Sequence, residues 1–417
     1  MQNLNFEKLV TKTGVPLYVL SLPHANSVAA GVLVHAGSRD EVLPNEAGLA
    51  HALEHMHFQG TDKFATSKDV HGFMEEIGGY SNAWTSMEGT FYYGQVPAER
   101  ADRIFIFLSE ILEHSQFPEE KIPIEMKNIV EEIKMNHDNP QSYLVESGLS
   151  FFYKNHPLGK LPLGTAETVS HFTKSDFLRF KERYYGPENY TFVIAGNIDS
   201  ATALARFETT FTQHSAVRKN VRMPASLSQT KTTLVEKRKD VQQVNILLLA
   251  PLPQAKDDQT TAINMFTSMV SGGASFPLFQ EVRDKRGLCY DIAADTDKYS
   301  DVSNFSVYIG TDAVRYPEAI KATLDVIASN QTNEDLLRRA KDLRKGRLSL
   351  AFENPGQIID FAAHDIMVED HPRGYEEIIR EIDSITMDNV ARAAAQYLKP
   401  EQFTTVLLVP DSLDAKE

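Results

Sequence analysis

One cysteine, Cys289, and one tryptophan, Trp84, serve the whole chain of 417 residues. A single thiol excludes an internal disulfide, so the fold must rest on its packed core; it also fits a reducing compartment, and a cytoplasmic location is expected. No apolar run approaches the roughly 20 residues that a membrane-spanning helix needs, so no membrane partner is expected. Residues 1–8 hold no basic segment leading into an apolar one, and no signal peptide is expected there. Positive charge is also in short supply: 42 Lys and Arg stand against 57 Asp and Glu, for a net charge of −15. Phosphate backbones require a basic face, which removes nucleic acid from the expected partners.

What is present is enough apolar material for more than one core. Hydrophobic residues make up 42% of the chain, and a chain this long exceeds the size at which a single core stops growing. Runs at 17–22, 28–35 and 191–195 read as strands. The stretch 101–114 places Ile104, Phe107, Leu108, Ile111 and Leu112 on one helical face. Thr173 and Asp176 supply cap residues for a helix that Gly186-Pro187 stops. Gln213 to Thr233 is poor in large apolar side chains, and a linker is placed at 216–233. Beyond it, strands at 244–250, 304–309 and 405–409 alternate with helices at 319–328 and 387–398. The fold class expected is α+β, two similar domains, each a mostly antiparallel sheet with helices packed on one face. The domains are 1–215 and 234–417.

The chemistry is concentrated in His51-Ala52-Leu53-Glu54-His55. On a helix, residues at i, i+3 and i+4 share one face, so two imidazoles and a carboxylate project together. Neutral imidazoles are good zinc ligands, and Glu54 stands where a base can take a proton from water. Gly48 and Pro44 offer a helix start and Gly60 a stop. A catalytic zinc takes three protein ligands and leaves one position open, so a third must come from elsewhere. In the segment 125–136, Glu125 and Glu132 are two turns apart on one helix face, while Glu131 points about 100° away. We assign Glu132 as the third ligand and Glu125 as a carboxylate that orients a histidine or tunes the water. His57, two residues past His55, falls on a different face and is expected to pack rather than bind metal.

With these residues the chain resembles the insulinase/pitrilysin family of zinc metallopeptidases, whose signature is this inverted order of His and Glu. Ala36-Gly37-Ser38-Arg39-Asp40-Glu41 precedes the signature as in the family. His57 and Gln59 just after it are mild departures. Gly78 to Thr85 looks like the family's substrate-binding edge strand, with Asn82 and Ala83 as its contact residues. Glu132 follows His55 at the family's usual interval, 76 residues between them. In Leu278 to Tyr290, Arg283 and Tyr290 occupy the positions of the family's substrate-binding Arg and Tyr.

The resemblance implies a zinc endopeptidase with one zinc per chain, acting on unstructured peptides. It implies that Tyr290 and Arg283 assist at the reacting carbonyl and that substrate pairs with Asn82-Ala83 as an added strand. Some relatives split the zinc signature and the Arg/Tyr element between two chains. This chain carries both, which favours a homodimer over a heterodimer with a related chain. Non-catalytic structural or partner subunits share the fold, but they typically lose signature residues. His51, Glu54, His55, Glu125 and Glu132 are all present here.

Overall fold

Alternation in the third strand shows how the first half builds its core. Val28, Ala30, Val32 and Val34 point to one side, into a buried cluster with Leu53, Met56, Phe105, Leu108, Phe192 and Phe207, as the two-residue period of a strand requires. The computed structural model describes residues 4–154, 156–212, 217, 219–225, 227 and 232–413. Eleven strands are found among them: β1 (Glu7–Val10), β2 (Pro16–Ser21), β3 (Ser27–Val34), β4 (Tyr80–Thr85), β5 (Thr90–Pro97), β6 (Tyr190–Gly196), β7 (Thr233–Arg238), β8 (Val244–Leu252), β9 (Asp291–Lys298), β10 (Ser303–Thr311) and β11 (Thr404–Pro410). They form two sheets, ordered β1-β2-β6-β3-β5-β4 and β7-β11-β8-β10-β9.

Apart from β1, the two orders are the same topology. In each, the first strand pairs parallel with the last, β2 with β6 and β7 with β11. The other neighbours run antiparallel. The fold is therefore duplicated, although no clean repeat is visible along the sequence. Each sheet ends on an open edge strand in corresponding positions, β4 and β9.

The chain divides into two compact units. The first comprises residues 1–135, 160–223 and 349–377, and the second 136–159, 224–348 and 378–417. This departs from the contiguous division at 216–233, because each half of the sequence lends a helix to the other half's unit. In the first unit, helix Pro355–Glu369 packs on β3, β5 and β6. It covers the side of the sheet opposite the valine row, where Leu33 and Met367 both approach Gly89. In the second unit, helix Pro140–Tyr153 packs on β8 and β11, and Gly148 permits the approach, since a Cβ there would lie 2.6 Å from Leu247.

The two lent helices start alike. Asn139 and Asn354 each cap the helix through a side-chain oxygen, which accepts two backbone N–H groups at Asn139 and one at Asn354, and each is followed by proline, which suits a first helical turn. Of the expected linker, residues 216, 218, 226 and 228–231 lie outside the described residues. No described helix is long and apolar enough to cross a membrane.

Candidate metal centre

The signature forms the helix Leu49–His57. Its start is built by two features. Gly48 adopts φ +91°, and a Cβ there would fall 2.7 Å from the carbonyl oxygen of Leu163. The buried carboxylate of Glu41 accepts the N–H groups of Gly48 and Ala50, at 3.0 and 2.9 Å. It thus satisfies donors that the first turn leaves without partners, while burial pushes its carboxyl well above the usual range. Ala50, Leu53 and Met56 enter the core; His51, Glu54 and His55 occupy the face beside them.

The opposing wall is helix Ile122–Asp138, held in register by buried Ile122, Met126, Ile129 and Ile133. It brings Glu132 Oε2 to 3.9 Å from His51 Nε2 and 4.0 Å from His55 Nε2. All three donors lie within 4.8 Å of one another, and no other group of three or more His, Cys, Asp or Glu donors gathers so closely among the described residues. Bonds of about 2.0–2.1 Å would set tetrahedral donors roughly 3.4 Å apart, so small side-chain movements would close the cluster on an ion. Glu131 turns away and pairs with Lys134 at 2.9 Å.

The donor chemistry also fits zinc. Burial, with His55 adding to it, pushes His51 down to about 3, which leaves its ring neutral and a lone pair available. His51 Nδ1 is buried with no hydrogen-bond partner. Glu125 Oε2 lies 3.6 Å from His55 Nδ1, the carboxylate-behind-histidine arrangement that orients metal ligands. Burial alone would lower the His55 pKa, but Glu125, Glu54 and Glu132 outweigh it and raise it. The same contact holds Glu125 below the usual carboxylate range.

Glu54 is buried, which pushes its carboxyl up, and its Oε2 accepts a 2.5 Å hydrogen bond from Thr85 Oγ1. Thr85 is not marked out by the sequence, because this contact joins residues 31 positions apart. Its one sequence signal is its place at the end of the edge-strand segment. His57 is a packing residue as expected: fully buried, it stacks on Tyr185 and meets Tyr92 and Phe117 edge-on.

Asn82 and Ala83 lie on β4, whose one partner is β5, through Asn82 opposite Tyr93 and Ala83 opposite Tyr92. The Ala83 N–H donates to Asn82 Oδ1 at 2.9 Å. Arg283 and Tyr290 belong to the second unit and lie outside the metal cluster, all of which is in the first. Arg283 sits on the π-helical turn Leu278–Asp284 with its guanidinium 4.6 Å from the ring centre of Phe279. Tyr290 is 41% exposed, and its hydroxyl donates to Gln243.

Comparison with known proteins gives the chain's family and fold. Residues 18–166 match the family described as insulinase (peptidase family M16), and residues 171–344 match the peptidase M16 inactive domain. The metal cluster lies wholly within the first match. An uncharacterized zinc protease of Rickettsia felis is 31% identical over 402 residues, 94% of each chain. A similarly named protein of Bacillus subtilis is 28% identical, over 97% of this chain and 98% of its own. A protease from Helicobacter pylori shares the fold with a TM-score of 0.90 at 21% identity, covering 98% of this chain and all of that one.

Proposed function

Because this chain belongs to the insulinase family of peptidases, M16, we propose that it is a zinc-dependent endopeptidase that hydrolyses unstructured peptides. The observation that carries the proposal is the convergence of His51, His55 and Glu132 with Glu54 beside them. His51, His55 and Glu132 would hold one zinc, which when bound supplies a Lewis acid for a peptide carbonyl and makes water easier to deprotonate. Glu54 takes the proton from the attacking water and delivers it to the leaving amine. Thr85 fixes the carboxylate orientation for both transfers, and Glu125 does the same for the His55 ring.

An extended substrate adds as a strand to the open edge of β4 at Asn82 and Ala83, displacing the Asn82 side chain from the Ala83 amide. Backbone pairing gives affinity without requiring one sequence, which is why the substrate class is unstructured peptide. From the family resemblance we assign Arg283 and Tyr290 to substrate binding and to the developing oxyanion, and a homodimer as the working assembly.

A quenched unstructured peptide tests the reading. Cleavage should stop on chelation and return when zinc is restored. Cleavage that persists without metal would overturn it.

A further inference from the structure

Building on the peptidase reading, the far side of the open edge has a chemistry of its own. Successive side chains of β4 alternate between faces. Ala83 and Thr85 face the metal helix, while Tyr80, Asn82 and Trp84 face helix Pro355–Glu369. On that side an aromatic row crosses onto the neighbouring strand, with Trp84 5.5 Å from Phe91 and Phe91 stacked on Tyr93 at 5.2 Å. Tyr80 and Asn82 are exposed at its rim.

Helix Pro355–Glu369 contributes one acidic group to this surface. Asp360 Oδ1 accepts from the Trp84 indole N–H at 2.8 Å, and the His364 ring lies against Trp84 at 4.4 Å. The side chain of Asp360 remains 45% exposed, and its one ion-pair neighbour among the described residues is His364, at 3.8 Å. No described lysine or arginine pairs with it. An indole donor satisfies a carboxylate oxygen without cancelling its charge.

We propose that this face is a side-chain subsite of the peptide-binding edge, in which Trp84 and the exposed Tyr80 flank, and Asp360 neutralises, an arginine or lysine of the added strand. A peptide paired on β4 presents every second side chain to this face. Aromatic faces beside a carboxylate favour a cation over an apolar side chain through cation–π attraction and charge. The acid on the face and the open edge beside it together select one occupant, a basic residue of an extended peptide. The other side chains of that peptide face the metal helix.

Trp84 is the one tryptophan of the chain, so its emission reports directly from this surface. The test uses the full-length chain carrying Glu54→Gln, so that peptides bind without being cut. A ten-residue unstructured peptide carries one arginine moved position by position, with a neutral citrulline control at each place. Arginine is expected to bind about fivefold tighter than citrulline at alternate positions, with a change in Trp84 emission. Adding Asp360→Asn should bring that ratio to about one. The arginine and citrulline peptides are compared on one protein, so the first result does not depend on how a variant folds. Peptides that bind with equal affinity, or a ratio that Asp360→Asn leaves unchanged, would overturn the subsite while leaving the peptidase reading intact. Failure of every peptide to bind, by emission and by calorimetry, would overturn both.

Discussion

Thr85 offers a sharp test at the scale of single residues. Its hydroxyl is the one described side chain that donates to Glu54, and a hydrogen bond to a charged group is worth about 1.5–3 kcal/mol. Thr85→Ala should lower kcat by roughly 10- to 100-fold with little change in KM, and Thr85→Ser should restore it. Steady-state kinetics of the pair decide the matter; equal losses in both variants would assign Thr85 a purely structural role. Asp297 offers a second test, away from the metal. Tyr153 donates to Asn304, which donates to Asp297, and burial pushes the Asp297 carboxyl up to about 6. A carboxyl raised in the folded state adds stability below its unfolded value near 4. That stability is lost as pH rises through about 6. Asp297→Asn should therefore gain on wild type by on the order of 2 kcal/mol between pH 4 and pH 7 in urea unfolding. A constant difference across that range would show that Asp297 is not the titrating group.

Secondary elements decide whether the residues meet. Gly48 starts the metal helix in a left-handed conformation with backbone atoms of Leu163 and Gly164 within 3 Å of where a Cβ would sit. Gly48→Ala should cost about 1–3 kcal/mol in unfolding stability and weaken zinc retention; an unchanged urea midpoint would contradict this account of the helix start. The signature helix was legible in the sequence because its information is local: spacing sets the face, and Gly48 and Gly60 set the ends. The strands rich in Val, Ile and Leu were legible for the same reason. β9 was not, since Asp291, Asp295 and Asp297 give it little apolar alternation. Glu132 lay on the right face of its helix by spacing, but no local rule distinguishes it from Glu125. Thr85 and Asp360 gain their meaning from contacts across 31 and 276 positions, which no window of sequence contains.

For the whole molecule, the lent helices matter most. Two similar α+β architectures were readable from the alternation of strands and helices in each half. The exchange was not, because a helix bears no mark of which sheet it will cover, although Asn-Pro at 139–140 and 354–355 is a faint repeat that matches in both. The first unit includes residues 349–377, so a fragment ending at 215 leaves one side of its sheet uncovered. Such a fragment should fail to give a cooperative unfolding transition and should not retain zinc; a folded, zinc-loaded fragment would show that the helix Pro355–Glu369 is dispensable.

The central claim is that His51, His55 and Glu132 hold zinc while Glu54 performs the proton transfers. Elemental analysis of purified chains, paired with cleavage of an unstructured peptide, tests it most directly. Wild type and Glu54→Gln should each carry about one zinc per chain, with cleavage in wild type alone, and Glu132→Ala should lose most of the metal. A wild-type chain without zinc, or a Glu54→Gln chain that still cleaves, would contradict the account.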